Sequence, residues 1–276
     1  MKLFKIEVGD FYVDGGAVFG VVPKKVWQKR YPCNDDNMCK MSMRCLLIDT
    51  GSKRILIDTG AGTKQLKYLD YYGFVGGETL SEKIEKLGYR CDEITDVVFT
   101  HLHFDHCGAC TDFDKESNTY SLTFPDATHW VGAEQWANFM EPNVREGDSY
   151  FKENVVPVMD AGKVCLVSDN TWICDEVELR LFNGHTLGQL VTYVHALQST
   201  YIYLGDVIPV AASISIAWVS AYDTYPVKSM EEKVALLTEA VEKRQILFFE
   251  HDYYTECCTV KMAGGKVVVD ERLELH

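Results

Sequence analysis

Residues 96–108 read DVVFTHLHFDHCG, and they are the most informative part of the chain. The apolar run DVVFT is typical of a buried β-strand. Four metal-ligating side chains follow within six residues: His101, His103, Asp105 and His106. Imidazole and carboxylate groups together suit zinc and similar divalent ions, and core packing does not produce them at this density. We therefore predict that His101 and His103 converge on one ion beyond the strand, and that Asp105 and His106 face a neighbouring ion.

Three further candidate ligands each follow an apolar strand-like run. His185 lies in NGHTLGQ, Asp206 ends YIYLGD and His251 follows ILFFE. Taken alone, each is more often a structural residue, but beside HLHFDH they complete two metal sites. One ion is assigned to His101, His103 and His185, the second to Asp105, His106 and His251, and Asp206 bridges both. A shared water then fills the open position that a catalytic site requires, and two ions ~3.5–4 Å apart activate such a water.

The remaining pattern indicates strands with interspersed helices. Predicted strands lie at 2–8, 44–50, 54–60, 97–100, 163–168, 172–182, 189–196, 200–205 and 245–252, with helices at 78–88 and 229–243 and a helical stretch, broken at Pro142, at 133–156. Gly51-Ser52 and Gly264-Gly265 are expected to be hairpin turns. No linker or fixed-period repeat divides the chain. We predict one domain over residues 1–276, an α/β (α+β) β-sandwich covered by helices on both faces.

Composition excludes several classes of partner. The chain has 27 Lys+Arg against 41 Asp+Glu, a formal charge of −14, which repels phosphate backbones and anionic lipid. We expect a small-molecule substrate, no nucleic acid and no membrane, because no run approaches ~20 apolar residues. The N-terminal stretch MKLFKIEVGDFYVDGG is interpreted as a strand and not a signal peptide. With ten cysteines interpreted as free thiols, a cytoplasmic location is expected.

The ligand pattern resembles the metallo-β-lactamase superfamily. It combines HxHxDH with the Gly-flanked His185, Asp206 after a strand and the late His251. The resemblance implies a four-layer αββα sandwich with the site at one edge of the two sheets. It also implies that Asp58, in LIDTG, supports the metal loop without binding an ion. Four segments, DGGAVFGVVPKKVWQKRYP (14–32), THLHFDHCG, AWVSAYDTYP (217–226) and FEHDYY (249–254), are similar to the quorum-quenching N-acyl homoserine lactonase branch.

This resemblance implies a dinuclear hydrolase that opens a lactone or similar small ester through a hydroxide bridging the ions. The ions are expected to be Zn²⁺, with Mn²⁺, Fe²⁺ or Co²⁺ as alternatives. Asp105 is expected to pass a proton to the leaving alkoxide. A phosphotriester, aryl ester or thioester hydrolase on the same site is the alternative. A metal-binding scaffold without activity would lack one or two ligands, whereas all seven are present here. The resemblance also implies a homodimer.

Two positions depart from the lactonase pattern. Lactonases of this branch carry a tyrosine three residues beyond the bridging aspartate, where Pro209 stands here. Tyr222 is the candidate replacement as the group that assists the carbonyl oxygen, and packing is its other interpretation. Cys107 and Cys110 form CGAC beside the metal loop, which indicates redox or zinc chemistry in some proteins and close packing in others.

Residues 10–45 are too long for a plain strand pair, so we expect an arm that lines the pocket or contacts a partner subunit. Aromatic residues are candidates for a pocket wall, with ordinary core as the alternative: Phe19, Trp27, Trp136, Phe139 and Trp218. His129, His195 and His276 are expected to lie outside the site.

Overall fold

The computed structural model describes residues 1–275, so the expectation for His276 lies outside the described residues. The strands are β1 (Lys2–Asp14), β2 (Met38–Asp49), β3 (Arg54–Ile57), β4 (Asp96–Val98), β5 (Thr111–Asp114), β6 (Thr119–Leu122), β7 (Thr128–Gly132), β8 (Val164–Val167), β9 (Thr171–Cys174), β10 (Val177–Phe182), β11 (Gln189–His195), β12 (Thr200–Tyr203), β13 (Ile246–Phe248), β14 (Cys257–Ala263) and β15 (Lys266–Leu273). The helices are α1 (Gly15–Phe19), α2 (Lys24–Trp27), α3 (Leu80–Lys86), α4 (Phe104–Cys107), α5 (Ala133–Met140), α6 (Lys152–Asp160) and α7 (Pro226–Lys243). This mixture confirms the predicted α/β class.

The described chain divides into two compact units, which we describe separately. Unit 1 comprises Met1–Gly9, Met43–Asp169 and Gly188–Leu190. Unit 2 comprises Asp10–Ser42, Asn170–Leu187 and the chain from Val191 onward. The expectation of a single domain over residues 1–276 stays a prediction.

Unit 1 is built on a sheet with the strand order β1-β2-β3-β4-β7-β8. The predicted hairpin at Gly51-Ser52 is confirmed, because β2 and β3 pair antiparallel from Asp49↔Arg54 to Leu46↔Ile57. Strands β3, β4, β7 and β8 are parallel neighbours. Parallel strands end at the same edge of a sheet, so the residues that follow β3 and β4 emerge side by side. This brings Asp58 close to the HLHFDH loop.

The helices of unit 1 bury apolar side chains against this sheet. Helix α3 begins with a capping box in which Thr79 and Glu82 satisfy each other's backbone N–H groups, and its Ile84 is fully buried. Phe139 of α5 and Val158 of α6 join the same apolar cluster as Val97. The predicted helical stretch at 133–156 is confirmed at its two ends, α5 and α6, but it is wrong for residues 141–151, which form no α-helix.

Unit 2 is built on a sheet with the order β15-β14-β13-β12-β11-β10-β9. Strands β12 and β13 are parallel, so Asp206 and His251, which follow them, emerge at one edge. Helix α7 buries Leu236, Leu237 and Ala240 in the apolar cluster of this unit. It begins three residues before the predicted start, because Pro226 at the first helical turn needs no N–H partner.

The structure differs from two of the predictions made from the sequence. The predicted strand at 172–182 is two strands, β9 and β10, which pair antiparallel across a turn with an irregularity at Val177/Glu178. In the predicted arm, Phe19 stacks on Trp27 with ring centroids 5.0 Å apart, and both side chains are buried. Phe139 of unit 1 is also buried. These three aromatic residues therefore form core, and the pocket-wall interpretation is wrong for them.

Two further expectations concern the state of the cysteines and the presence of membrane-spanning helices. All ten cysteines are free thiols. Within residues 1–275, no helix combines the length and the apolar character that a membrane crossing requires.

Candidate metal centre

The HLHFDH segment of unit 1 gathers its four polar side chains in one place. The loop after β4 carries His101 and His103, and α4 carries Asp105 and His106. His101 Nε2 lies 2.9 Å from His103 Nδ1, and His106 Nε2 lies 3.7 Å from the nearer Asp105 oxygen. The three histidines are at most 8% exposed. Histidine nitrogens this close together cannot all carry protons, so the cluster is suited to a shared positive ion.

Asp58 orients this cluster through its contacts with His106 and Thr100. One of its oxygens lies 3.0 Å from His106 Nδ1 and accepts a hydrogen bond from the Thr100 hydroxyl at 2.6 Å. Its other oxygen accepts from the Thr100 backbone N–H at 2.7 Å. With Nδ1 held by a carboxylate, Nε2 is the ring nitrogen of His106 that is suited to a metal ion. Asp58 adopts a left-handed φ of 57°, a backbone conformation that is uncommon for residues other than glycine.

Glu146 supports His103 in a similar way, and sequence analysis missed it. Its Oε1 lies 3.4 Å from His103 Nε2 and accepts a hydrogen bond from Tyr150 Oη at 2.9 Å. Glu146 is buried, and Asn138 donates to its other oxygen at 3.0 Å. Nothing in the spacing of EPNVREGDSY marks this glutamate, because it reaches His103 across an irregular loop.

Unit 2 brings together the three other candidate ligands. Asp206 Oδ2 lies 3.3 Å from His185 Nε2, and Asp206 Oδ1 lies 3.1 Å from His251 Nε2. Each carboxylate oxygen thus faces a different histidine. Asp206 sits in a short 3₁₀ turn after β12 in which Gly205 has a left-handed φ of 49°. This is the arrangement expected of a carboxylate that contacts two ions through separate oxygens.

Both histidines of unit 2 are anchored through their other ring nitrogen. His185 Nδ1 lies 3.0 Å from Asp223 Oδ1, and His251 Nδ1 lies 2.8 Å from the Ser42 carbonyl oxygen. Since a carbonyl oxygen only accepts, we assign the proton of His251 to Nδ1, which leaves Nε2 as the ring nitrogen suited to a metal ion. Asp223 and Ser42 were not singled out in the sequence. Only the folded chain brings them to these rings.

The residues present fit divalent metal ions. Neutral imidazole and carboxylate groups are the ligands that zinc and related ions take in proteins, and His–carboxylate or His–carbonyl contacts behind them are the usual support. Each unit contains these ligand types together with such supporting contacts, and the histidines involved are buried.

Three other residues were singled out from the sequence: Tyr222, Cys107 and Cys110. The Tyr222 side chain is 41% exposed, and Tyr222 directly precedes Asp223. Cys107 and Cys110 are buried, and burial raises the pKa of the Cys107 thiol to about 12 and that of Cys110 well above its usual value. A thiol with a raised pKa is a poor nucleophile, which favours the packing interpretation of CGAC over redox chemistry.

The other two bystander histidines lie within strands. His129 is buried in β7, and His195 ends β11, where its ring stacks on Trp172 with centroids 5.0 Å apart. Neither belongs to the clusters described above.

The fold and the two His/Asp clusters define an α/β protein built to bind divalent metal. Residues 44–251 match the family model described as the metallo-beta-lactamase superfamily. The chain belongs to this superfamily, as the HxHxDH pattern predicted.

Two relatives by sequence are informative. A probable metallo-hydrolase of Mycobacterium tuberculosis is 29% identical over 126 residues, which are 41% of this chain and 37% of that protein. The chain therefore matches little more than a third of that relative's length. An N-acyl homoserine lactonase of Bacillus thuringiensis is 24% identical over 230 residues, which cover 77% of this chain and 82% of that protein.

Two solved structures resemble the whole chain. A probable metal-dependent hydrolase from Staphylococcus aureus aligns with a TM-score of 0.88 at 26% identity, covering 99% of this chain and 98% of that chain. AidC, described as a dizinc quorum-quenching lactonase with a bound product, aligns with a TM-score of 0.78 at 19% identity, covering 99% and 95%. The second likeness shows the fold alone. Together these matches confirm the predicted metallo-β-lactamase fold, and the relatives' names support the expectation of a metal-dependent hydrolase.

Proposed function

We propose that the protein is a dinuclear metal-dependent hydrolase that opens a lactone or similar small ester. The observation that carries the proposal is the geometry of Asp206, whose two oxygens face His185 and His251 separately. The proposed ligand set is the one predicted from sequence. His101, His103 and His185 would hold one ion, Asp105, His106 and His251 would hold the other, and Asp206 would contact both.

The chemistry divides between the ions and the chain. When bound, two divalent ions would supply an activated water and Lewis-acid polarisation of the substrate carbonyl group. The chain fixes the ligand geometry, because Asp58, Glu146, Asp223 and Ser42 each hold the outer nitrogen of one histidine. Asp105 moves a proton to the leaving alkoxide as the ring opens. Tyr222, a residue that is 41% exposed, is the proposed donor to the carbonyl oxygen.

Lactones are the preferred substrate class for two reasons. The Bacillus thuringiensis relative and AidC are both named as lactonases. The charge of −14 also disfavours polyanionic substrates such as nucleic acids. Phosphotriesters, aryl esters and thioesters remain the alternative substrates, since the same activated water attacks all of them. Zn²⁺ is the proposed metal, and a cytoplasmic homodimer is the proposed state of the protein.

The deciding experiment combines metal content with turnover. Purified protein is analysed by elemental mass spectrometry, and hydrolysis of an N-acyl homoserine lactone is followed with and without chelator. About two ions per chain, with ring opening that chelation abolishes and zinc restores, is the expected result. Two ions without lactone turnover would transfer the proposal to the alternative substrates, which are assayed in parallel. Less than one ion per chain, or activity indifferent to chelation, would contradict the dinuclear mechanism.

A further inference from the structure

Helix α7 presents two adjacent charged side chains, Glu232 and Lys233, to two different loops of unit 2. Glu232 accepts hydrogen bonds from the backbone N–H groups of Asn183 at 2.8 Å and Gly184 at 2.9 Å. These are the two residues that precede His185. A single carboxylate therefore fixes the backbone that leads into a proposed metal ligand.

Lys233 fixes the second loop. Its ammonium group donates to the carbonyl oxygens of Ser213 at 2.7 Å, Ser215 at 3.1 Å and Trp218 at 2.9 Å. Its side chain is only 2% exposed, and an ammonium group has three N–H donors, so this geometry uses all of them. Burying a charge is costly unless it is fully hydrogen-bonded. Three carbonyls gathered around one cation indicate a loop whose conformation is tightly specified.

The two loops meet at His185. The loop held by Lys233 continues to Asp223, whose carboxylate lies 3.0 Å from His185 Nδ1. Thr224 N donates to the His185 carbonyl oxygen, and Tyr225 N donates to that of Gly184, each at 2.9 Å. The position of the His185 ring therefore depends on both loops at once.

The start of α7 also packs directly on the His185 loop. A Cβ added at Gly184 would lie 2.5 Å from Ser229 Cα, so glycine allows the helix to approach this closely. Glu232 and Lys233 follow Ser229 by about one helical turn. Helix α7 is thus the common support from which both loops are held.

We propose that Glu232 and Lys233 are positioning residues that together fix the His185–Asp223 pair, and with it the affinity of the ion bound by His185. This inference rests on the proposed role of His185 as a metal ligand. The two side chains act through the loops and touch no reacting atom. An orienting contact behind a metal-bound histidine is typically worth a factor of 10–100 in metal affinity, so loosening the pair should cost about that much.

The test compares Glu232→Gln and Lys233→Met with matched controls on the same helix. Glu231→Gln and Lys243→Met are the controls, because these side chains on the same helix are 65% and 62% exposed. Metal-free protein is titrated with Co²⁺ in a calorimeter. We expect one of two ions to bind about 10-fold to 100-fold more weakly in both test variants and with unchanged affinity in both controls. Lys233→Arg, which keeps the charge and the donors, is expected to recover part of the loss.

A second readout needs no metal. The Nδ1–H proton of His185, held by Asp223, should give a downfield, slowly exchanging NMR signal in metal-free protein, assigned with His185→Gln. We expect Glu232→Gln and Lys233→Met to broaden or remove this signal and the controls to keep it. If Lys233→Met does not fold, Glu232→Gln alone carries the comparison.

The outcomes separate the two proposals. Normal Co²⁺ binding together with an unchanged His185 signal in the test variants would overturn the positioning role. Failure of the unmodified protein to bind Co²⁺ would overturn the proposed function instead, and the NMR signal would still decide whether the loops fix His185.

Discussion

His251 is tied to the backbone of Ser42 by two contacts, one through its imidazole and one through its own carbonyl oxygen. His251 Nδ1 lies 2.8 Å from the Ser42 carbonyl oxygen, and Ser42 N donates to the His251 carbonyl oxygen at 3.1 Å. A bridge between Met41 and Asp252 extends this pairing by one residue. The first part of β2 thereby fixes the ring of His251, whose Nε2 faces Asp206. The first part of β2, which is distant in sequence and contributes no proposed ligand, therefore orients the ring of the proposed ligand His251.

Replacement of Asp206 by alanine should abolish turnover. The change removes the carboxylate that faces both His185 and His251, while the surrounding strands keep their packing. Turnover of a lactone is expected to fall at least about 1000-fold, with the metal content dropping below two ions per chain. Circular dichroism checks that the fold survives, and Asp169→Ala on the exposed surface serves as the control. Undiminished turnover in Asp206→Ala would refute its proposed role.

Glu146→Gln should weaken metal binding without unfolding the protein. The amide keeps the shape of the side chain but loses the negative charge that lies 3.4 Å from His103 Nε2. A loss of about 10-fold in metal affinity is expected, measured by titration of metal-free protein. Glu141→Gln, on an exposed residue of the same loop, is the matched control. Equal affinities in the two variants would show that Glu146 does not orient His103.

His129 should make the protein sensitive to acid. Burial lowers the pKa of His129 to about 4, from an ordinary value of 6.5. Because the unfolded chain takes up this proton more readily, the contribution of His129 to stability is fully present above pH 6.5. It is lost as the pH falls from 6.5 towards 4, with about 3 kcal/mol as its upper bound.

Urea unfolding of metal-free protein between pH 4 and pH 7 measures this effect. His129→Leu cannot titrate, so its stability should change less over this range than that of the unmodified protein. His195→Leu is the control, because His195 is half-buried and ends its strand. Parallel pH profiles for the unmodified protein and His129→Leu would contradict the prediction.

Gly184→Ala should destabilise the His185 loop. The added methyl group would lie 2.5 Å from both Cα and Oγ of Ser229, and the backbone of α7 has to shift to admit it. Forcing an extra methyl group into such a contact costs about 1–3 kcal/mol, which thermal unfolding can detect. Gly77→Ala is the comparison, since a Cβ there meets nothing within 4 Å. Similar melting temperatures for both variants would mean that the close approach of α7 is not needed.

Local patterns predicted much of the secondary structure. The Gly51-Ser52 hairpin, the capped helix α3 and the long helix α7 follow from turn residues, capping residues and apolar periodicity, which act over a few neighbours. The strand at 172–182 was predicted without its interruption, because the two-residue turn Asp175-Glu176 between the paired strands contains no glycine, proline or asparagine to mark it. Burial of Phe19 and Trp27 was not predictable either, since an aromatic side chain suits a core as well as a pocket wall.

By itself, the sequence determined which chemistry the protein carries. The dense HLHFDH segment and the strand-end residues His185, Asp206 and His251 are recognisable because ligand types and their spacing are written along the chain. Tertiary structure alone decided which groups hold those ligands in place. Glu146 and Asp223 come from loops and Ser42 from within β2, all distant in sequence from the histidines that they contact. An orienting contact needs only one oxygen near one ring nitrogen, so folding can supply it from almost any residue, and no local pattern records it.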